Sequence, residues 1–132
     1  MILEKEGSRL VQLHSLPSLS ADMYQESLIR LDRASVPSHP SDDQVFFSSA
    51  NDPYLTATAL SKAYSRLKSM RNITNLYISP LATKPQALGF GLFYIRELES
   101  TPSSVIFPYS SKYSRETSKG IGRSWVYPIF FD

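Results

Sequence analysis

The sequence predicts an α/β fold: a small, Rossmann-like, mostly parallel sheet with helices packed on it, plus an irregular amino-terminal arm. Two observations predict this class. Apolar runs rich in β-branched and aromatic residues alternate with longer segments of helical periodicity. Each apolar run that precedes a helical segment is followed by small polar residues and a proline. This composition is typical of strand-to-helix loops. We therefore expect an arm at residues 1–43 and one Rossmann-like α/β unit at residues 44–132.

The amino-terminal arm is the least regular part of the sequence. Residues 9–14 alternate weakly and predict a short strand, and a short helix is expected to begin at Ser20 or Asp22. Residues 34–43 are rich in proline, serine and aspartate, which predicts an exposed connection. This connection is expected to join the arm to the α/β unit.

The α/β unit is predicted to begin with a strand and a helix. Residues 44–50 form a continuous apolar run that ends in small residues, the pattern of a strand buried on both faces of a parallel sheet. Asn51 or Asp52 is the expected helix cap, and Pro53 suits the first helical turn because its missing N–H costs nothing there. The following stripe of apolar residues predicts a helix that reaches Lys68.

A second strand and helix repeat the same order of residue types. Residues 73–78 predict the strand, and Thr83 or Lys84 is the expected cap of an apolar helix that runs from Pro85 to about Glu99. Gly89 and Gly91 each cost up to about 1 kcal/mol relative to alanine inside a helix. We expect close packing against a neighbouring backbone to offset that cost.

Two further strands are predicted after this helix. Residues 103–109 form the first, and residues 110–124 are a polar, basic segment that contains glycine. Residues 123–131 are the last predicted strand, which is expected at an edge of the sheet because Pro128 cannot donate a ladder hydrogen bond. The predicted order from residue 44 is therefore strand, helix, strand, helix, strand, loop, strand.

The composition excludes several kinds of site. The chain has 132 residues, no cysteine and two histidines, which excludes disulfides, thiolate ligands and thiol nucleophiles. We expect no metal and no cofactor.

The formal charge of +2 is too small to indicate nucleic acid by itself. No apolar run reaches the length of about 20 residues that a membrane helix needs, and no signal pattern is present, so a cytoplasmic protein without membrane contact is expected.

The predicted strand ends bring hydroxyl groups, helix N–H groups and basic side chains to one edge of the sheet. Such groups favour an anion, especially a phosphate. The predicted ligand-binding residues are Ser48, Ser49, Asn51, Asp52, Ser79, Thr83, Lys84, Gln86, Lys112, Tyr113, Arg115 and Lys119. Cations in the segment 112–123 also make a nucleic-acid surface an alternative. The sequence thus predicts a site for a nucleotide or other phosphorylated ligand.

Residues 79–85 and the apolar helix after them resemble the ligand-binding loops of Rossmann-like sensor domains. The similar families are the CRISPR-associated Rossmann-fold (CARF) domains and their SAVED relatives in bacterial antiphage systems. The likeness covers about twenty residues, or about forty when Ser48–Pro53 is included. The resemblance implies that the domain binds a cyclic oligonucleotide or related nucleotide at its strand ends, across a dimer, and passes a signal to an effector.

Three functions remain open from the sequence. The first is a non-catalytic ligand sensor or regulatory subunit, in which Thr83, Lys84 and Gln86 meet the anion. The second is a protein-interaction subunit with no ligand of its own, working as a homo-oligomer or with a partner protein. The third is an enzyme that acts on a nucleotide or nucleic acid with Asp52 as acid or base. No nucleophile motif or pair of neighbouring carboxylates supports catalysis, so no catalytic residue is predicted.

Overall fold

Two parallel strand pairs, each with a helix between its strands, make up the fold of the described residues. The computed structural model describes residues 9–20, 22–33, 45–107, 109–112, 120 and 122–130. Its elements are β1 (Gln12–Ser15), α1 (Met23–Arg33), β2 (Val45–Ser48), α2 (Pro53–Met70), β3 (Leu76–Ile78), α3 (Lys84–Phe93) and β4 (Ser103–Val105). A π-helical turn, Tyr94–Leu98, continues α3. The chain is therefore a mixture of helices and short parallel strands, as the α/β prediction required.

Helices α2 and α3 begin and end close to the predicted residues. The side chain of Asp52 accepts hydrogen bonds at the start of α2, and Pro53 lies in its first turn. Thr83 caps α3 in a capping box with Gln86, in which each side chain bonds the other's backbone N–H. With its π-helical turn, α3 reaches Leu98, so both predicted helices are confirmed.

The strands pair differently from the prediction. β1 pairs in parallel with β2, placing Leu13 opposite Phe46, and β3 pairs in parallel with β4, placing Tyr77 opposite Ser104. In the described residues these are two separate two-stranded sheets. We expected α2 to connect neighbouring strands of one sheet, but it connects the two pairs instead. The physical reason is that β2 finds its partner in the amino-terminal region, across the expected boundary at residue 44.

The predicted last strand, 123–131, is wrong for the residues that the structure describes. Residues 122–130 form no ladder, and tyrosine hydroxyls fix them instead. Tyr127 donates to the backbone carbonyl of Asn51 (2.6 Å), and Tyr54 donates to the carbonyl of Pro128. The segment consequently lies against the start of α2 rather than along a sheet. Phe131 lies outside the described residues.

The core lies mainly between α2, α3 and β3. Its buried apolar side chains include Ala50, Ala63, Ile78, Phe90, Leu92, Phe93 and Leu98. The two helices approach closely at Gly89, where an added Cβ would lie 2.6 Å from the carbonyl oxygen of Pro53 and 2.6 Å from the Cβ of Thr56. At Gly91 an added Cβ would meet nothing within 4 Å. The expectation of close packing is thus confirmed for Gly89 and wrong for Gly91, which faces open space.

His14 is the buried titratable group of the β1–β2 sheet. Its Nε2 lies 2.9 Å from the amide oxygen of Gln12, and its ring packs edge-on against Tyr24, with centroids 5.9 Å apart. Phe47, its partner in the strand register, covers another side at 6.2 Å. Burial removes water from the imidazolium and lowers the pKa of His14 from its usual 6.5.

This burial makes the free energy of unfolding depend on pH. The unfolded chain binds a proton at His14 more tightly than the folded chain does, so stability should fall as the pH drops through about 6.5 and below. Urea unfolding at about pH 7.5 and about pH 5.5 measures the loss. His14→Gln should reduce it. An unchanged pH dependence in His14→Gln would contradict the assignment.

Candidate functional site

The loops that follow β2 and β3 meet, as the sequence predicted. The hydroxyl of Thr83 donates to the backbone carbonyl of Ala50 over 2.5 Å, which joins the two loops directly. The end of β1 lies beside them, because the N–H of Ala50 donates to the carbonyl of Pro17 at 3.1 Å. The carboxyl ends of β1, β2 and β3 therefore belong to one edge of the molecule.

Gln86 is the centre of this edge, but it is buried rather than available to a ligand. Only 1% of the residue is exposed. Its amide oxygen accepts a hydrogen bond from Ser15 at 2.9 Å, and its amide nitrogen donates to Ser48 at 3.1 Å. The Thr83 hydroxyl lies 3.3 Å from the same amide oxygen. The side chain thus links β1, the end of β2 and the start of α3.

The hydrogen-bond network continues from Ser48 into α2. The hydroxyls of Ser48 and Thr56 lie 3.1 Å apart, and Thr56, which is fully buried, also donates to the carbonyl of Asp52 at 2.9 Å. Every buried side-chain nitrogen or oxygen in the described part of the chain has a hydrogen-bond partner. Ser48, Thr56 and Gln86 therefore satisfy one another, and this internal arrangement stabilises the junction of the elements.

Most N–H groups at the amino ends of the two helices already donate hydrogen bonds to acceptors of the chain itself. In α2, the N–H groups of Tyr54 and Leu55 donate to the carboxylate of Asp52 at 2.8 and 2.9 Å, and Pro53 has no N–H. The Asp52 carboxylate, which the enzyme hypothesis used as acid or base, therefore acts as a helix cap. Its negative charge would also oppose an anion at this position.

The start of α3 differs because it carries a cation. The N–H of Gln86 donates to the Thr83 hydroxyl at 3.4 Å, and the N–H of Ala87 donates to the Thr83 carbonyl at 2.8 Å. Pro85 again supplies no donor. This leaves Lys84, whose exposed side chain lies in the first turn of the helix. Lys84 is the predicted site residue best placed to meet an anion from solvent.

Four of the seven remaining predicted residues lie in the described part of the chain. Ser49 is half-buried and accepts a hydrogen bond from the N–H of Asn51 at 3.3 Å. Asn51, Ser79 and Lys112 are exposed. Tyr113, Arg115 and Lys119 lie outside the described residues. The structure thus brings Ser48, Thr83 and Gln86 into direct contact, and it does not test the predicted basic flap.

The loops after the strands and the carboxyl-terminal segment carry exposed apolar side chains. We define the strand-end edge as residues 49–52, 79–83, 106, 107, 109 and 125–130. Its most exposed apolar and aromatic residues are Leu81 (66%), Phe107 (71%), Tyr109 (94%), Val126 (89%) and Phe130 (76%). Residues 103–109 and 123–131 were predicted to be strands, but among their described residues only Ser103–Val105 forms a ladder. The apolar composition of both segments was the available signal.

An open depression lies at the other end of α2. It has a volume of about 350 Å³ and is lined by Tyr64, Lys68, Arg71, Asn72 and Ile73. The Lys68 ammonium lies 5.1 Å from the centre of the Tyr64 ring, within the range of a cation–π contact. No predicted site residue belongs to this depression.

The described ranges contain no candidate for two further kinds of site. No group of three or more His, Asp or Glu side chains there is arranged to hold a metal ion. None of the helices in these ranges combines the length and apolar character that crossing a bilayer requires.

Comparison with known proteins adds no family to these observations. No protein-family model, no curated protein and no solved structure matches the chain.

Proposed function

We propose that this chain is a protein-interaction subunit that binds another polypeptide through its strand-end edge. The observation that carries the proposal is the contrast at this edge between polar side chains that satisfy one another and apolar side chains that face solvent. Gln86 and Ser48 are buried and hydrogen-bonded, whereas Phe107, Tyr109 and Phe130 are mostly exposed. Burial of such aromatic residues supplies much of the binding energy of protein interfaces.

The sheet architecture supports the same function. Parallel strands are normally covered on both faces and occur in larger sheets. Here each described pair has only two strands, of three or four residues each. Phe47 on β2 and Tyr77 on β3 are about half exposed, at 46% and 54%. A partner that covers these side chains would complete the burial that a parallel sheet requires.

We take the partner to be a second copy of the chain, since most soluble oligomers are homo-oligomers. Native mass spectrometry and light scattering on the purified protein are the tests. The expected result is more than one chain per particle. Phe107→Ser combined with Phe130→Ser should convert the assembly to monomers.

A matched control separates the edge from general hydrophobicity. Met70→Ser combined with Ile95→Ser also removes two half-exposed apolar side chains, but these lie outside the strand-end edge. This control should leave the assembly intact. A monodisperse wild-type monomer at high concentration, or equal dissociation by both double variants, would overturn the proposal.

A Rossmann-like ligand sensor is the second candidate, and Lys84 is the observation that favours it. Its ammonium lies where a cation opposes the helix dipole, a cost of about 0.3–1 kcal/mol that a bound anion would offset. In this proposal the chain is a cytoplasmic sensor of the CARF or SAVED kind, and the ligand is a nucleotide. The same native mass measurement serves as its test, because a co-purifying nucleotide would add its mass to the particle. Masses that match the polypeptide alone would count against it.

A further inference from the structure

The charges of this chain are strongly segregated. Residues 53–96 contain six Lys or Arg residues and no Asp or Glu, although the whole chain has 12 acidic residues. The acid-free stretch includes α2 and α3 and lies entirely within the described residues. The whole chain has a net charge of only +2, whereas residues 53–96 by themselves carry a much larger positive charge.

Four of these six cations lie in the carboxyl-terminal half of α2 and directly after it. Lys62, Arg66, Lys68 and Arg71 are all exposed. Lys62 and Arg66 are four residues apart, so they lie on the same side of the helix about one turn from each other. Lys68 lies about 120° around the helix from Lys62, so the cations flank the solvent-exposed side of α2. We call these four residues the α2 basic face.

The helix dipole explains only part of the α2 basic face. Cations are stabilised near a helix carboxyl end, and the effect is confined to the last turn. Lys68 lies in that turn, and Arg71 is the residue that ends the helix. Lys62 and Arg66 precede the last turn, so the dipole does not account for them.

Carboxylates of the described residues do not neutralise the positive charges of this face either. No carboxylate in the described part of the chain forms an ion pair with any of its four cations. Lys68 contacts the ring of Tyr64, which leaves its charge uncompensated. Lys62 and Arg66 are like charges one helical turn apart and repel each other at low ionic strength, and a bound polyanion would relieve that repulsion.

We propose that the α2 basic face binds the phosphate backbone of a nucleic acid. Every exposed residue between 61 and 69 is Lys, Arg or Ser. Lys, Arg and Ser side chains are typical donors to phosphate oxygens. Met70 is the one exposed apolar residue between Lys62 and Arg71, and Tyr64 is half-buried, so aromatic anchors of protein interfaces are scarce here. The chemistry of the face therefore favours a nucleic acid over an acidic protein.

This surface is distinct from the basic segment 112–123 that the sequence suggested for nucleic acid. It is also separate from the strand-end edge, because Lys62 to Arg71 lie towards the opposite end of α2 from Asp52. The inference is independent of the proposed protein-interaction function, and either can fail while the other holds.

The test is fluorescence anisotropy of the purified full chain with a labelled DNA duplex of about 20 base pairs, from about 50 to about 200 mM salt. A labelled single strand of the same sequence is the second probe. We expect at least one probe to bind, with affinity that falls steeply with salt. Lys62→Gln combined with Arg66→Gln should weaken binding about tenfold and reduce the salt slope by about 2, because two phosphate contacts are lost.

The matched control is Arg9→Gln combined with Arg96→Gln, which removes the same total charge from exposed positions outside both the α2 basic face and the segment 112–123. It should bind almost as the wild type does. Circular dichroism establishes that both variants remain folded. Failure of both probes to bind at about 50 mM salt would overturn the proposal, as would an equal loss in both double variants. Equally tight binding to polyglutamate would also overturn it, since the face would then not distinguish a nucleic acid from an acidic polypeptide.

Discussion

Gly89→Ala is expected to destabilise the fold by about 2–3 kcal/mol. The new methyl group would lie 2.6 Å from the carbonyl oxygen of Pro53, and a backbone atom cannot move aside as the end of a side chain can. It would also overlap Thr56, which is fully buried between the helices. Helices α2 and α3 would have to separate, and that loss exceeds the gain of up to about 1 kcal/mol that alanine brings to a helix. Urea unfolding measures the difference.

Gly91→Ala is the matched control in the same helix. An added Cβ there meets nothing within 4 Å, so only the gain in helix propensity remains. We expect this variant to be more stable than the wild type by about 0.5–1 kcal/mol. The two substitutions, two residues apart, should therefore have opposite signs. A similar effect at both positions would contradict the close approach of the helices at Gly89.

Gln86→Met is expected to cost about 2–4 kcal/mol. Methionine has nearly the same length as glutamine, so it fills the same space without leaving a large cavity. It cannot accept the hydrogen bond from Ser15 as an amide oxygen does or donate to Ser48, and the Ser48 hydroxyl is buried. The loss thus comes from polar groups left without full partners. Thermal and urea unfolding provide the measurement.

Lys84→Ala provides the comparison for this result. It alters the first turn of the same helix at an exposed position, so stability should change by no more than about 0.5 kcal/mol. If Gln86→Met were as mild as Lys84→Ala, Gln86 would not be the structural link described here. Such a result would return Gln86 to the list of candidate ligand contacts.

The sequence predicted local structure well wherever a single residue type carries a clear physical role. Asp52 and Thr83 have short side-chain acceptors that suit helix caps, and the prolines after them suit first turns. The caps consequently appear where the sequence placed them. The contact between the two loops after β2 and β3 was predicted from the placement of both strands in one sheet, and it forms although the strands belong to separate pairs.

Strand pairing was harder to predict because short strands carry little pattern. β1 has only four residues, and its weak alternation gave no indication that it would pair with β2. Gln86 posed a related difficulty, since a glutamine near a helix start has the same appearance in sequence whether it meets a ligand or a buried hydroxyl. Its bond to Ser15 joins positions 71 residues apart, and no local signal reports such a partner.

The long-range bond of Gln86 has a consequence for how the molecule unfolds. Each strand pair with its connecting helix is a local unit, and such units can open separately in native proteins. Gln86 belongs to the second unit, but its amide holds Ser15 and Ser48 of the first. Opening either unit therefore breaks hydrogen bonds in the other, so the two halves of the chain gain cooperativity. One glutamine side chain thus helps two small structural units to behave as a single folding domain.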